Sequence, residues 1–223
     1  MTNFLHIISV YKGDISWVKD LEGQYILYYK DKPQYDPYNN VNICGAETNI
    51  LKFIIDFYDN LPDICVFTHP YNIKWTHQGN LYDRVNDIYK KRDNLLLFGS
   101  LSFGSLSFGS LSHLVYDIKS NKNVKYDFMK STNWWNETMQ EFFGDMPIDF
   151  SLGKTPASQF YVKSDTIRRL PKEFYINMLN FLLKKSIPGT LYNEDNPYNE
   201  FWMSRYMEWS WEFIFTSNLL NPY

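Results

Sequence analysis

Two histidines eight residues apart, His69 and His77, are the side chains best suited to chemistry in this chain. A neutral imidazole ligates a metal or accepts a proton, and a protonated one holds phosphate. His69 ends the apolar run Ile64-Cys65-Val66-Phe67, and Trp75 stands between the two histidines. The spacing matches no zinc pattern, and neither Cys-x-x-Cys nor His-Glu-x-x-His accompanies it. Two packing or surface histidines are the competing reading. Trp75 in turn either stacks on a ligand ring or packs on the core.

Four other segments could contribute. Asp14 and Trp17 follow the first apolar run, where nucleotide-binding α/β folds present an Asp or a backbone amide to the ligand; a plain helix cap is the alternative for Asp14. Gly45 precedes a helix start, where outward N–H groups attract anions, and Glu47 in that first turn reads as a cap that suits the helix dipole. Gln159 heads a late strand, where its amide either binds a sugar or base or ties down a loop. Glu208 lies three residues after Arg205 and four before Glu212, a spacing that usually means a solvated face with ion pairs. The surrounding Phe201, Trp202, Tyr206, Trp209, Trp211 and Phe213 leave little polar face, however. A carboxylate among aromatics has a raised pKa and can serve as a base. No Gly-x-Ser-x-Gly elbow or kinase signature set is present, and no Asp-x-Asp follows the third strand.

The elements that must position these groups are legible from periodicity. Phe4–Val10 is a short, β-branched, nearly all-apolar run, as buried parallel strands are. Tyr25–Tyr29 and Ile64–Phe67 read as the second and third strands. Between them, Ile50, Phe53, Ile54 and Phe57 recur at helical spacing across Glu47–Tyr58. A polar helix spans Asn80–Lys91 on the stripe Leu81, Val85, Ile88. Further helices are expected over Asn133–Phe143, Ile167–Leu170, Pro171–Lys185 and Pro197–Phe215, with a late strand at Ser158–Val162. Strands alternating with helices predict an α/β fold with a mostly parallel sheet flanked by helices. No linker divides the chain, so residues 1–223 form one domain.

Phe-Gly-Ser-Leu-Ser occurs three times without change across residues 98–112. Three copies of so short a unit cannot build a stable stack. The expectation is a tandem duplication carried as an inserted loop or lengthened hairpin.

Composition narrows the classes. Apolar residues are 44% of the chain, enough for a globular core, and the net charge of −3 with no basic cluster argues against a nucleic-acid partner. Cys44 and Cys65 sit in apolar settings and read as buried free thiols, with a bridge between them the alternative. No basic leader or apolar stretch long enough to span a bilayer is visible, so a cytoplasmic protein is the expectation. Aromatics are 19% of residues; they either stack on sugars and bases or reflect AT-rich codon usage.

Several segments together resemble an uncharacterised domain family of fungi, algae, plants and large DNA viruses. That family opens with Tyr-x-x-Asp-x-x-Trp after a strand, here Tyr11, Asp14 and Trp17. Its Asn-x-Gly-Arg-Glu box before a helix corresponds to Asn42 to Glu47, with Ala46 in place of the arginine. Its Tyr-x-x-Leu-Pro-Asp, Phe-x-His and Trp-His motifs correspond to Tyr58, Leu61-Pro62-Asp63, Phe67, His69, Trp75 and His77, with one residue inserted in the last pair. Ser158–Val162, Ile167, Pro171, Glu173–Tyr175 and Glu208–Phe215 resemble its closing blocks.

The family looks related to glycosyltransferases of the GT-A type, a fold-level analogy. The resemblance implies a glycosyltransferase-like enzyme that moves a sugar from a nucleotide-sugar donor to a glycan acceptor, in viral or cell-surface glycan synthesis. If the chain is viral, the compartment is the host cytoplasm. Tyr11, Asp14, Trp17, Gly45 and Gln159 would bind the nucleotide sugar, and Glu208, His69 and His77 would be catalytic. A divalent cation, manganese or magnesium, would fall to His69 and His77, since no Asp-x-Asp offers to hold it. The alternative is a non-catalytic carbohydrate- or partner-binding module on the same fold, and a third reading is a metal-dependent hydrolase built on the histidines.

Overall fold

The computed structural model describes residues 2–11, 13–30, 45–72, 80–101, 114–117, 122–125, 135, 139–145, 158–185 and 200–216. His77, Trp75 and Cys44 lie outside these, as do residues 102–112 of the repeat. A central sheet holds β1 (Phe4–Val10), β2 (Gln24–Tyr29), β3 (Ile64–Thr68), β4 (Phe98–Ser100) and, late in the chain, a reversed strand. A separate two-stranded ladder pairs β5 (Leu114–Asp117) with β6 (Lys122–Lys125). The reversed strand is β7 (Phe160–Lys163), and the order in the central sheet is β2-β1-β3-β7-β4.

The parallel part is as the βαβ pattern requires. β1 pairs in parallel with β2 through Ile7↔Ile26 and with β3 through Ile7↔Phe67. Six of the seven β1 residues, and all five of β3, are buried, because helices cover both faces. The expectation of a mostly parallel sheet fails at the other edge: β7 runs antiparallel to both β3 and β4, so the sheet is mixed. The reason lies in β7 itself. Phe160 and Val162 are buried while Tyr161 and Lys163 are only partly so, the alternation that suits a reversed strand with one face better covered.

One face carries α1 (Glu47–Phe57), α5 (Lys172–Lys185) and α6 (Glu200–Thr216). Its core joins Ile7, Tyr28, Phe67, Phe160 and Val162 of the sheet to Ile50, Phe53 and Ile54 of α1 and to Trp211, Ile214 and Phe215 of α6. The opposite face carries α2 (Leu81–Lys90), whose Val85 and Ile88 pack on Phe4, Ile64 and Val66. Near it a 3₁₀ turn, Ser16–Asp20, buries Trp17 and Val18 against Ile8 and Val10. Asn80 caps α2 by accepting from the Asp83 N–H at 2.7 Å. Two shorter helices, α3 (Gln140–Phe143) and α4 (Ser164–Ile167), complete the set. α4 begins three residues earlier than periodicity suggested, at Ser164, and Lys163 takes the cap position without a side-chain hydrogen bond.

The helical face is where much of the aromatic content goes. Phe160 is fully buried, with ring centroids of Phe67, Phe98, Phe215 and Trp211 at 5.2, 5.3, 5.6 and 5.7 Å. Trp211 and Phe215 stack at 8°. Tyrosines use their polar ends: the buried Tyr175 donates to the Ile167 carbonyl at 2.7 Å and the partly buried Tyr58 to the Leu170 carbonyl at 2.6 Å. Cys65 is a buried free thiol. The longest described helix is α6, and no helix among the described residues is long and apolar enough to cross a membrane.

Because Phe160 lies where β3, β4 and α6 meet, Phe160→Ala is expected to cost about 3–5 kcal/mol of unfolding free energy. Denaturant titration of the variant beside the native chain measures this, and a loss under about 1 kcal/mol would show that the ring cluster is loosely packed.

Candidate functional site

The three parallel strands send their carboxyl ends to one edge of the sheet. β1 lies between β2 and β3, so the chain departs to opposite sides of it; ligands of open α/β folds bind at such a reversal. The loops after β1 and β3 border this point and are pinned together. The Trp17 indole N–H donates to the Pro70 carbonyl at 2.8 Å, and the Tyr71 hydroxyl donates to the Tyr11 carbonyl at 3.4 Å. Gly13 approaches so closely that a Cβ there would lie 2.4 Å from Pro70 Cγ. Asp14 is exposed on this rim and accepts from the Ser16 N–H at 2.8 Å and the Ser16 hydroxyl at 3.1 Å. These bonds, the backbone one foremost, hold its carboxyl below the ordinary range.

Behind the rim lies a buried polar centre built on the start of α1. Gly45 takes φ of 55°, the left-handed conformation that glycine adopts freely, and a Cβ there would come within 3.1 Å of Ser204 Oγ on α6. Two residues on, the Glu47 side chain is fully buried. One of its carboxyl oxygens is hydrogen-bonded by the Ser158 hydroxyl and the other by the Trp211 indole N–H. Burial is the largest influence on this carboxyl and nearby Glu208 the next; together they push its pKa up to about 8 against the bonds from Ser158 and Trp211 and the charge of Lys30. Lys30, itself buried, donates to Thr48 Oγ1 at 2.6 Å.

Ser158 and Gln159 connect the centre to the rim. While Ser158 bonds Glu47, the buried Gln159 accepts from the His69 backbone N–H at 3.5 Å. Glu208 and Trp211 are three residues apart on α6 and so share a face. Glu208 is partly buried. Of the residues singled out from the sequence, Gly45 and Glu208 lie by Glu47, and Gln159, next to Ser158 in the chain, bonds the backbone of His69. Tyr11, Asp14 and Trp17 occupy the rim, joined to the His69 loop through Pro70. Trp17 is 8% exposed and its N–H is engaged, so it serves as a tie between loops and not as an open platform. His77 falls outside the described residues. Among the described residues no three His, Cys, Asp or Glu side chains converge as a metal site requires; the expected pair of His69 and His77 includes a residue outside them.

Sequence reasoning took Glu47 for a helix cap and gave Lys30, Ser158 and Trp211 no role of their own in a site. Glu47 does begin α1, but its environment is made by side chains 111 and 164 positions away, which no local pattern reveals. His6 was also missed. It is fully buried on β1, with Nε2 2.7 Å from Thr68 Oγ1 and no partner for Nδ1 among the described residues. Burial drives its pKa down to about 3, so it is neutral.

Arranged this way, the site offers a carboxyl that keeps its proton at neutral pH beside a second, more exposed carboxyl. A carboxyl held protonated with another carboxyl close by is the kind of pair from which acid and base roles are built. Residues 5–221 match the model of a protein family of unknown function, DUF3431. No curated protein and no solved structure matches the chain.

The buried proton has a measurable consequence. Glu47 is raised from 4.5 to about 8 on folding, so the native state holds a proton that the unfolded chain releases. Its contribution is complete below about pH 4.5 and is lost as the pH rises to about 8. Glu47→Gln keeps an acceptor for Trp211 and a group for Ser158. It should therefore remove this decline, leaving the variant more stable than the native chain at pH 8.5. Urea unfolding of both proteins at pH 5 and 8.5 checks this; equal slopes would place the proton elsewhere.

Proposed function

The chain belongs to the DUF3431 family, and for it we propose sugar transfer from a nucleotide-sugar donor to a hydroxyl of a glycan acceptor, on a fold of the GT-A kind. One observation carries this reading: the Ser158-Gln159 pair links the Glu47–Glu208 carboxyl centre to the His69 loop at the carboxyl ends of parallel strands. On this reading Glu208 would serve an acceptor on one side of that segment, and the His69 loop a leaving diphosphate on the other.

In this reading the nucleotide lies along the rim at Tyr11 and Asp14, in the crevice that an open α/β sheet offers at its strand reversal. Glu208 takes the proton of the acceptor hydroxyl. The acceptor oxygen bonds to the anomeric carbon as the bond from that carbon to the diphosphate oxygen breaks. Negative charge then grows on the diphosphate, where His69, with His77 as its partner, and the N–H groups after Gly45 stabilise it. The Gln159 amide orients the sugar. Glu47, holding its proton, places Ser158 and Trp211 without adding a second charge beside Glu208.

A non-catalytic carbohydrate-binding module is the second reading. It is favoured by Ala46, which stands where the resembling motif has an arginine and is itself buried, and by Asp14, whose carboxyl bonds Ser16.

A thermal-shift panel of nucleotide sugars and free glycans, with and without manganese, separates the readings, since a ligand of the native state raises the melting temperature. Sugar transfer requires a nucleotide-sugar shift that Asp14→Ala and His69→Ala both abolish. Glu208→Gln should keep that shift and lower transfer about 10²- to 10⁴-fold. A response to free glycans alone would replace the enzyme with the module, and one to manganese alone would favour a hydrolase.

A further inference from the structure

The edge of the central sheet has a seat for the four residues Phe-Gly-Ser-Leu, and the sequence offers that tetrapeptide three times. The first copy fills the seat. Phe98 packs beside Phe160 and Phe215, with ring centroids at 5.3 and 5.9 Å. Gly99 lies directly opposite Tyr161, and a Cβ added to it would be 2.4 Å from the tyrosine ring. That ring cannot swing aside cheaply, because it packs with the α2-face core. Leu101 is 2% exposed in that core, and its N–H donates to the Gln159 carbonyl at 2.8 Å.

Everything the seat reads is repeated at intervals of five: Phe98, Phe103, Phe108; Gly99, Gly104, Gly109; Leu101, Leu106, Leu111. The bonds that flank the seat are largely indifferent to side chains. Lys163 N–H and the Thr166 hydroxyl both bond the carbonyl of Leu97, whose side chain is 56% exposed. A shift by five would put the Ser102 carbonyl there. Register is fixed where a side-chain pattern has one solution, and here the pattern has three. The length gained before the strand is taken from the connection after it, and the closure cost of a connection changes slowly with its length.

We propose that β4 is a sliding strand: each of the three copies can occupy the seat against β7, in registers displaced by five residues. Register exchange moves five or ten residues from one side of β4 to the other. It thereby resets the length of chain that leaves the sheet beside Gln159. The device is independent of the sugar-transfer reading.

The seat itself supplies the test. Valine in place of the seated glycine meets the Tyr161 ring, whereas valine in an unseated copy does not. Gly99→Val alone should be rescued by sliding and lower the melting temperature by at most about 2 °C. The triple variant G99V/G104V/G109V has no unblocked copy and should lose about 6–10 °C or fail to fold. Each double variant leaves one free copy and should stay near the native value. Deleting residues 103–112 removes the spare copies, so in that background Gly99→Val alone should be as harmful as the triple. Lysine at Leu101, Leu106 and Leu111, singly and together, reads the second part of the seat in the same way. A Gly99→Val loss equal to that of the triple would show a single fixed register, and a harmless triple would show that the seat does not require glycine. Either result overturns the proposal.

Discussion

A carboxyl group taken out of water at the head of α1 is the constraint around which this molecule is arranged. Burying an ionised carboxylate without compensation costs many kcal/mol, and a protein avoids this by pairing or by neutralising the group. Glu47 does some of each. It accepts hydrogen bonds from Ser158 and Trp211, feels Lys30 nearby, and still holds its proton to about pH 8. The donors come from the segment before β7 and from α6, so one side chain fixes how three remote parts of the chain meet. A loss of any donor would leave a buried oxygen unsatisfied, which costs about 1–3 kcal/mol. The buried polar centre is therefore a specification of the fold as much as a candidate site.

The aromatic content takes on its meaning in the same region. Exposed rings would point to stacking on ligands, but Phe53, Phe67, Phe160, Trp211 and Phe215 are all within 1% of complete burial and form one core. Large rings fill the space between a twisted sheet and three helices with few side chains. They also exclude water from the neighbourhood of Glu47, which is why its proton is held so firmly. Packing and proton affinity are here two results of one arrangement.

The first half of the fold was legible because its signals are local. β1 was bounded at Phe4–Val10 by its apolar run alone, and the stripe of α1 by Ile50, Phe53 and Ile54. The reversal of β7 was not legible, since Phe160–Lys163 is only four residues long and strand direction depends on the path taken before it. His69 and Gln159 stood out by type and by position at the ends of elements, and Glu208 by the aromatic residues around it in the sequence. Glu47 did not, because a glutamate in a first helical turn has an ordinary surface explanation, and only the approach of α6 removes the solvent. The triple pentapeptide looked like an ornament in a loop; its first copy proved to be part of the sheet, because Phe98 and Leu101 each find a core to enter.

The Trp17–Pro70 bond and the Gly13–Pro70 contact carry a consequence for how this edge of the sheet can move. Two loops that would otherwise sway separately are riveted into a single jamb. A displacement of either is handed to the other, so the ends of β1 and β3 yield together. A substitution in one loop is thereby read in the position of its neighbour.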